Sequence, residues 1–319
     1  MLTKCPICQN VYHKVLDFGG YKHQGQFHDL IKCLKCDFMF LHPKPSQDLL
    51  KKLYNNSEYF TKDCSGGGEV AYEDSFKQNK KRYQEIISRL KKYKKGGLLL
   101  EVGCAGGHFL ELAKDFGYKV EGIEISSNIA ELAKEKLGLN IIVGTIEDIK
   151  LPSQKYDIVY LGDVLEHIYN LDSFLKEIFR ILKPFGLLYI DLPGTYNYTL
   201  LGIITYPLVM LKYIFKWELP FSKKYFLLKQ HRKKYSDNCP YHLYEFTPKS
   251  VENLLIKYNF LPIEIISFDG WPKQKNYKTV KSKIFCYLKK ISYFTTRILN
   301  FVKIGDRIIV LATKRKNII

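Results

Sequence analysis

The stretch Leu98–Leu110, LLLEVGCAGGHFL, decides how the rest of the chain is interpreted. A short apolar run ends in an acidic residue, a glycine-rich turn follows, and a helical apolar pattern begins. A strand, a tight turn and a helix N-terminus in this order can cradle a nucleotide-like ligand. Gly103 and Gly107 would let the backbone turn sharply and approach that ligand without a Cβ in the way. Such turns also serve purely structural ends, so the residues downstream must decide.

From Leu98 onward the pattern alternates between strands and helices. Strands are predicted at Leu98–Val102, Lys119–Ile123, Asn140–Val143, Tyr156–Leu161 and Gly186–Leu192. Helices are predicted at Gly107–Phe116, Ser127–Leu137 and Ser173–Leu182, and a further helix, Gln78–Lys95, precedes the first strand. The alternation predicts an α/β fold with a doubly wound, mainly parallel sheet, in which ligands bind at the carboxyl ends of the strands.

Glu124 closes the second predicted strand of this sheet, 17 residues after Gly107. An acid at that place can accept hydrogen bonds from ribose hydroxyls. Acids at strand ends are common without such a role. Because Glu124 stands in register with the glycine-rich turn, the sequence favours the ligand-binding interpretation.

Four of the eight cysteines form two CxxC pairs, Cys5 with Cys8 and Cys33 with Cys36, separated by 24 residues. This spacing predicts a zinc ribbon, in which four thiolates close the coordination shell and the metal has a structural role. The alternative is four reduced thiols. No apolar signal region follows Met1, so we expect a cytoplasmic protein in a reducing compartment.

The net charge of +18 is concentrated in particular segments of the chain. Residues 221–236 contain six Lys or Arg and no acid, and residues 271–305 contain nine and no acid. Within the second segment a basic amphipathic helix is predicted, whose apolar stripe is Val280, Ile284, Leu288, Ile291, Phe294 and Ile298. In one interpretation, the apolar stripe packs on the sheet and the lysines are exposed to solvent. In the other interpretation, this basic surface binds anionic lipid at the inner face of the membrane, and the aromatic residues of Thr199–Trp217 enter the lipid interface.

Several motifs together resemble class I S-adenosylmethionine-dependent methyltransferases. EVGCAGG is similar to their E/D-x-G-x-G-x-G signature, GIEIS to the second motif, and GTIEDIKLPSQKYDIVYLGDVLEHI to the third and fourth. The likeness covers Leu98–Pro193 closely and GDRIIVLATK more loosely. It implies a Rossmann-like fold with a seven-stranded, mainly parallel sheet. The ribbon followed by LHPKPS resembles a bacterial and archaeal subgroup often associated with modifying sugars and cell-surface glycans.

The resemblance implies a cofactor role for each matching residue. Glu101 would hold the methionine amino group, and Glu124, in the same motif as Ile125, would bind the ribose. The methionine and ribose would be lined by Gly103, Cys104, Ala105 and Gly107, the adenine by Thr145, Ile146 and Glu147, and the sulfonium by Leu161 and Gly162. Ala105 replaces the middle glycine of the signature, and Thr145 stands where many members have aspartate.

Catalytic and further metal candidates follow the core motifs. Asp163, Glu166 and His167 would share one face of a helix, and the resembling ubiquinone-pathway O-methyltransferases bind magnesium through such a run. The alternative is a metal-free turn that shapes the pocket, and His167 is also a catalytic candidate. His242 resembles the histidine that faces the acceptor in this family, and its alternative role is to anchor its loop, for example against Glu245.

These features predict five parts: a zinc ribbon with a strand and helix (1–60), a linker and helix (61–96), the cofactor core (97–195), a lid or acceptor-side insertion (196–246), and the rest of the core (247–319). The predicted reaction is methyl transfer to a hydroxyl or carbon of a saccharide or lipid-linked glycan precursor. A phenolic or quinone hydroxyl is the second candidate acceptor. From another class, a non-catalytic zinc-ribbon adaptor could bind nucleic acid or protein, although the basic segments lack a nucleic-acid-reading module.

Overall fold

The computed structural model describes residues 3–17, 19–23, 25–54, 68–194, 235–236, 242–268, 287, 290–291, 293–298 and 305–315. For residues 51–54, 68–78 and 235–236 it describes the backbone only. Most of the predicted lid and the aromatic stretch Thr199–Trp217 lie outside the described residues.

The described residues form strands and helices in the order that the sequence predicts for the core. The strands are β1 (His13–Val15), β2 (Gly20–His23), β3 (Gln26–Cys33), β4 (Met39–His42), β5 (Leu98–Val102), β6 (Lys119–Glu124), β7 (Ile141–Val143), β8 (Tyr156–Gly162), β9 (Leu182–Pro193), β10 (Tyr235–Ser236), β11 (Tyr244–Glu245), β12 (Phe260–Phe268) and β13 (Arg307–Lys314). The helices are α1 (Gln47–Tyr54), α2 (Gly68–Tyr93), α3 (His108–Asp115), α4 (Ser127–Leu137), α5 (Leu171–Ile181) and α6 (Pro248–Lys257).

A seven-stranded sheet carries the predicted core, in the order β12-β13-β9-β8-β5-β6-β7. The pairs from β9 to β7 are parallel. Strand β5 has β6 on one side and β8 on the other, so the strand order reverses there and the fold leaves a crevice at its carboxyl end. Both faces of β5 are buried, since Leu100 and Val102 lie on one face and Leu99 on the other. The predicted fold class, a Rossmann-like methyltransferase fold, is therefore confirmed.

Two predicted boundaries differ from the structure. Helix α2 begins at Gly68, ten residues before the predicted start at Gln78, so the apolar stripe that located this helix marks only its second part. Strand β9 begins at Leu182 and not at Gly186. A register irregularity between Tyr156 and Ile158 of β8 lets β9 bend and continue pairing over this extra length.

A second sheet contains the N-terminal strands, in the order β10-β2-β3-β4-β11, with β1 paired to β3. The chain divides into two compact units that are each discontinuous in sequence. One consists of Met1–Pro45, Leu192–Leu254 and Ile265–Ile309, and the other of Ser46–Asp191, Leu255–Glu264 and Val310–Ile319. The five-part division of the sequence stays a prediction.

Residues 287, 290–291 and 293–298 are helical and are called the C-terminal helix below. Tyr293 and Thr296 are buried, whereas Ile291, Phe294 and Ile298 are exposed. The interpretation in which the predicted apolar stripe packs inward is therefore wrong for these described residues. Periodicity locates a helix but does not decide which face is buried, and here the inward face contains the polar residue Thr296.

Candidate functional site

The glycine-rich turn between β5 and α3 is held against the end of β6. The N–H groups of Gly103 and Cys104 both donate to the carbonyl of Ile123, at 2.8 and 3.0 Å. Gly103 and Gly107 have φ of +72° and +75°, in the left-handed region that favours glycine. A Cβ on Gly103 would lie 2.7 Å from Cγ2 of Val164. Conformation and packing therefore both require the glycine at position 103.

Ala105, which replaces the middle glycine, also adopts a positive φ, of 45°. Its N–H donates to Oε2 of Glu124 at 2.8 Å, and Oε1 of Glu124 accepts from the N–H of Ser126 at 2.9 Å. Burial raises the pKa of Glu124, against the lowering effect of the N–H donors of Ser126 and Ala105. Ile125, which lies between Glu124 and Ser126 in the sequence, is exposed. The acid that was predicted to bind ribose thus also ties the turn to the start of α4.

Glu101 lies in β5, immediately before the turn, and its side chain is buried. Its Oε2 has no hydrogen-bond partner among the described residues. Burial raises the pKa of Glu101 well above its usual value, Arg82 opposes this effect, and Glu124 adds to it. A buried acceptor without a partner costs free energy, about 1–3 kcal/mol. This carboxylate fits the ammonium group of a methionine moiety.

Strand pairing brings further predicted cofactor residues to the same edge of the sheet. Leu161 lies opposite Val102 in the β5–β8 pair, so Gly162 follows at the level of the glycine-rich turn. At the end of β6 the N–H of Gly144 donates to the carbonyl of Glu124 at 2.9 Å. The loops after β5, β6, β7 and β8 therefore begin side by side, as the resemblance implies.

The predicted adenine-side residues follow β7. Ile146 is buried, and Glu147 accepts from Oγ of Ser173 at 3.4 Å. Thr145 donates its hydroxyl to Oδ2 of Asp148 at 2.6 Å. An acidic group thus lies beside Thr145, the position where many resembling proteins have aspartate. The sequence reasoning missed Asp148, whose signal is an acid three residues after Thr145.

A family model described as a methyltransferase domain matches residues 100–190, the segment that contains this edge of the sheet. This segment of the chain is therefore similar to methyltransferase domains. Its relatives include a ubiquinone biosynthesis O-methyltransferase of Pelagibacter ubique, 33% identical over 124 residues that make up 37% of this chain and 50% of that protein. A sterol 4-C-methyltransferase of Caenorhabditis elegans is 37% identical over 95 residues, 27% of this chain and 28% of that protein.

Among solved structures, a SAM-dependent methyltransferase from Archaeoglobus fulgidus is 20% identical, with a TM-score of 0.45, and the match covers 76% of this chain and 100% of that one. The chain spans about half the length of the first curated relatives that it matches. The family model covers residues 100–190 and does not include the N-terminal cysteine-containing sheet.

Arg82 of α2 links two neighbouring strands of the seven-stranded sheet, β8 and β9. Its Nε donates to Oδ2 of Asp191 at 2.8 Å, and its Nη2 lies 2.8 Å from Oδ2 of Asp163. Asp191 is fully buried. Burial lowers the pKa of Arg82, but the two aspartates outweigh it and raise the pKa well above its usual value. The sequence reasoning missed Arg82, although its position four residues before Ile86 places it on the apolar face of α2.

The predicted magnesium run after β8 does not form one helix face. Asp163 has a φ of +56°, and the short 3₁₀ turn begins only at Leu165. A left-handed residue interrupts helical periodicity, so the prediction of a shared face for Asp163, Glu166 and His167 is wrong. Asp163 is directed to Arg82. Nε2 of His167 lies 3.8 Å from Oε1 of the buried Glu166.

His242 precedes β11 in the other compact unit and is half-buried. The carbonyl of the next residue, Leu243, accepts from the N–H of Leu41 at 3.0 Å, which fixes the backbone at this point. The catalytic role of His242 stays a prediction.

The four predicted zinc ligands converge in the N-terminal unit. Their sulfur atoms all lie within 4.8 Å of one another, and the pairs Cys5–Cys36 and Cys8–Cys33 are each 3.5 Å apart. A tetrahedral Zn²⁺ with Zn–S bonds of about 2.3 Å holds its sulfurs about 3.8 Å apart. Gln9 and Asp37, directly after the second cysteine of each pair, both have positive φ, so the two knuckles share one backbone shape. The geometry fits a structural zinc ion.

Proposed function

We propose that this chain transfers the methyl group of S-adenosylmethionine to a hydroxyl group of its acceptor. The unpartnered buried Oε2 of Glu101, next to a turn that Glu124 holds in place, is the observation that supports this most directly. When bound, the cofactor supplies a methyl group activated by its sulfonium. The protein's part is to orient that group: Glu101 binds the ammonium, Glu124 the ribose, and the backbone of the turn excludes water beside them.

The local charge suits this cofactor. Glu101, Glu124, Asp163 and Asp191 lie at one edge of the sheet, where Arg82 balances two of them. Glu101 and Glu124 are the remaining two acids, and a bound ammonium group would favour the ionised form of Glu101, so the site suits a cofactor that carries both a sulfonium and an ammonium cation. The demethylated product lacks the sulfonium charge, so the same site favours the substrate form over the product.

The acceptor that we propose is a hydroxyl of a saccharide or a lipid-linked glycan precursor in the cytoplasm. This proposal rests on the likeness of the cysteine ribbon and LHPKPS to methyltransferases of the sugar-modifying subgroup. A phenolic or quinone hydroxyl is the second candidate, favoured by the name of the Pelagibacter relative. The sterol relative is named for methylation at carbon, so likeness in the core alone does not select the acceptor.

A general base is needed when the acceptor is a hydroxyl. His242 and His167 are the candidates, since imidazole accepts a proton near neutral pH. We expect His242→Ala to lower turnover by roughly 10²–10⁴ without a change in cofactor affinity if His242 is the base. A loss of affinity with normal turnover would assign it to anchoring its loop, and His167→Ala serves as the matched comparison.

Zinc is proposed for the four-cysteine cluster, with the role of holding the two knuckles together. Zinc binding contributes directly to folding in small sites of this kind. We expect one zinc per chain by metal analysis and loss of the N-terminal unit's structure on chelation, while cofactor binding persists. Freshly purified protein without zinc would contradict this assignment.

Titration calorimetry with the zinc-loaded protein tests the function as a whole. We expect S-adenosylmethionine to bind, and methyl transfer to follow with sugar or glycan-lipid acceptors in a panel that also contains catechols and quinols. Transfer to the ring hydroxyls alone would select the second acceptor. No heat on cofactor addition would contradict the enzyme and leave the adaptor.

A further inference from the structure

The C-terminal helix presents four large apolar side chains to solvent. Tyr287, Ile291, Phe294 and Ile298 are 66%, 45%, 57% and 79% exposed. Their spacings of four, three and four residues place them within a sector of about 60° around the helix axis. We call these four residues the exposed stripe. Soluble monomers rarely leave such a contiguous apolar surface in water, so the stripe indicates an interaction site.

The opposite face anchors the helix. Tyr293 is 1% exposed and packs edge-to-face on Phe268, with ring centroids 5.9 Å apart. The guanidinium of Arg297 lies 5.6 Å from the centroid of the same Phe268 ring. Thr296, which lies between Tyr293 and Arg297 in the sequence, is also buried. The stripe therefore faces outward because the other face is fixed by packing.

The charge around the stripe identifies the kind of partner. Lys290 is exposed and falls at the edge of the apolar sector, and residues 271–305 carry nine Lys or Arg and no acid. A second copy of this helix would bring like charges together, which disfavours a self-associated pair. Apolar side chains flanked by cations match an anionic lipid surface, where the apolar groups enter the interface and the cations reach the headgroups.

We propose that the C-terminal helix lies in the interface of an anionic membrane with the exposed stripe inserted. No helix in the described parts of the chain is long and apolar enough to cross a bilayer. The link to a lipid-linked acceptor rests on the proposed function, because such an acceptor also lies at the membrane surface. Membrane binding itself is measured without catalysis, so the two proposals can fail separately.

Co-sedimentation of the full, zinc-loaded chain with vesicles tests this proposal. Wild-type protein should bind vesicles of phosphatidylcholine with 40% phosphatidylglycerol and remain in the supernatant with phosphatidylcholine alone. Ile298→Glu should lower the partition coefficient by about tenfold or more, since it removes an inserted group and adds an anion. The matched control is Ile256→Glu in α6, which changes another exposed helical isoleucine by the same charge. Equal losses in both variants, or no binding by the wild type, would overturn the proposal.

A second pair of variants separates charge from insertion. Lys290→Gln should weaken binding about fivefold at low salt, and the exposed Lys134→Gln in α4, with the same charge change, should not. Cofactor affinity and thermal unfolding should stay unchanged in all variants. If Ile298→Glu fails to fold, Phe294→Trp gives a second readout, a blue-shifted emission on adding anionic vesicles. No shift, or a change in sedimentation-equilibrium mass without a change in partition, would contradict lipid binding.

Discussion

The turn after β5 and the loop after β8 begin side by side, and acidic side chains lie at both places, but those acids have different partners. At the turn, Glu124 is held by two backbone N–H donors, and Oε2 of Glu101 has no hydrogen-bond partner among the described residues. At the loop, Arg82 pairs with both Asp163 and Asp191. Glu101 at the turn can thus bind a ligand, whereas the charges of Asp163 and Asp191 are balanced within the protein by Arg82.

The difference shows what an acid at a strand end indicates. A carboxylate paired with an arginine of the same domain already has a counter-charge, so the fold compensates the cost of its burial. A carboxylate with an unpartnered oxygen keeps a desolvation cost that only a ligand can offset. The counter-ion of each acid therefore separates binding acids from structural ones more reliably than its place in a motif.

The largest expected effect is on the compensated side of this comparison. Arg82→Met should lower the free energy of unfolding by about 3–5 kcal/mol, because it removes the positive charge that Arg82 places beside the buried Asp191 and beside Asp163. Denaturant unfolding followed by circular dichroism measures this change.

Matched variants sharpen that result. Arg82→Lys keeps the charge but not the two-pronged geometry and should lose less stability. Asp163→Asn should cost less again, because 39% of the Asp163 side chain is exposed. Equal losses in Arg82→Met and Asp163→Asn would mean that the buried Asp191 does not depend on the pairing.

The next effect is on the ligand side. Glu101→Gln should weaken S-adenosylmethionine binding at least tenfold, since a charge-assisted hydrogen bond contributes about 1.5–3 kcal/mol. The Glu101→Gln variant should not be less stable at neutral pH, because the raised pKa of Glu101 means that its ionised carboxylate opposes folding. Calorimetry and thermal unfolding measure the two quantities.

Glu124→Gln is the control for Glu101→Gln. An amide cannot accept from both Ala105 and Ser126 through two carboxylate oxygens, so this variant should lose affinity and stability together. A parallel loss in Glu101→Gln would place that residue among the structural acids and remove the contrast.

The pH dependence of stability should carry the same contrast. The folded-state pKa of Glu101 is raised by burial, so the native protein holds a proton that the unfolded chain releases. The contribution of Glu101 to the free energy of unfolding is therefore largest below the pKa that this residue has in the unfolded chain. It falls as the pH rises through the higher pKa of the folded state. Glu101→Gln should remove that part of the slope. An unchanged slope in chemical unfolding at several pH values would assign it to other groups.

The sequence predicted the parts of this molecule that local pattern controls. Gly103 and Glu124 are fixed by a turn and a strand end that lie close together in the chain, and the four cysteines by their spacing. Arg82 was missed because its partners lie 81 and 109 residues away in sequence. Asp163 was misassigned because helical spacing was assumed where the backbone turns left-handed.

The C-terminal helix shows a second limit. Its apolar period was evident from the sequence, but the buried face was not, because Tyr293 and Arg297 pack through their contacts with Phe268. An amphipathic pattern indicates that a helix has two different faces, but it does not show which face packs against the rest of the protein. Tertiary partners decide that, and they are not local in the sequence.

The smallest expected effect concerns the turn itself and has the opposite sign. An L residue at positive φ costs about 1–2 kcal/mol, and Ala105 has a φ of 45°. Ala105→Gly should relieve this strain, although glycine gains about 0.4–1 kcal/mol of entropy in the unfolded chain, so the net gain should be about 0.5–1 kcal/mol. Cofactor affinity should stay within about twofold, since the N–H to Glu124 is kept. The paired variant Gly103→Ala should lose stability, because its Cβ would meet Val164. Loss of affinity in Ala105→Gly would show that the alanine methyl group contacts the cofactor and that the departure from the glycine signature has a binding role.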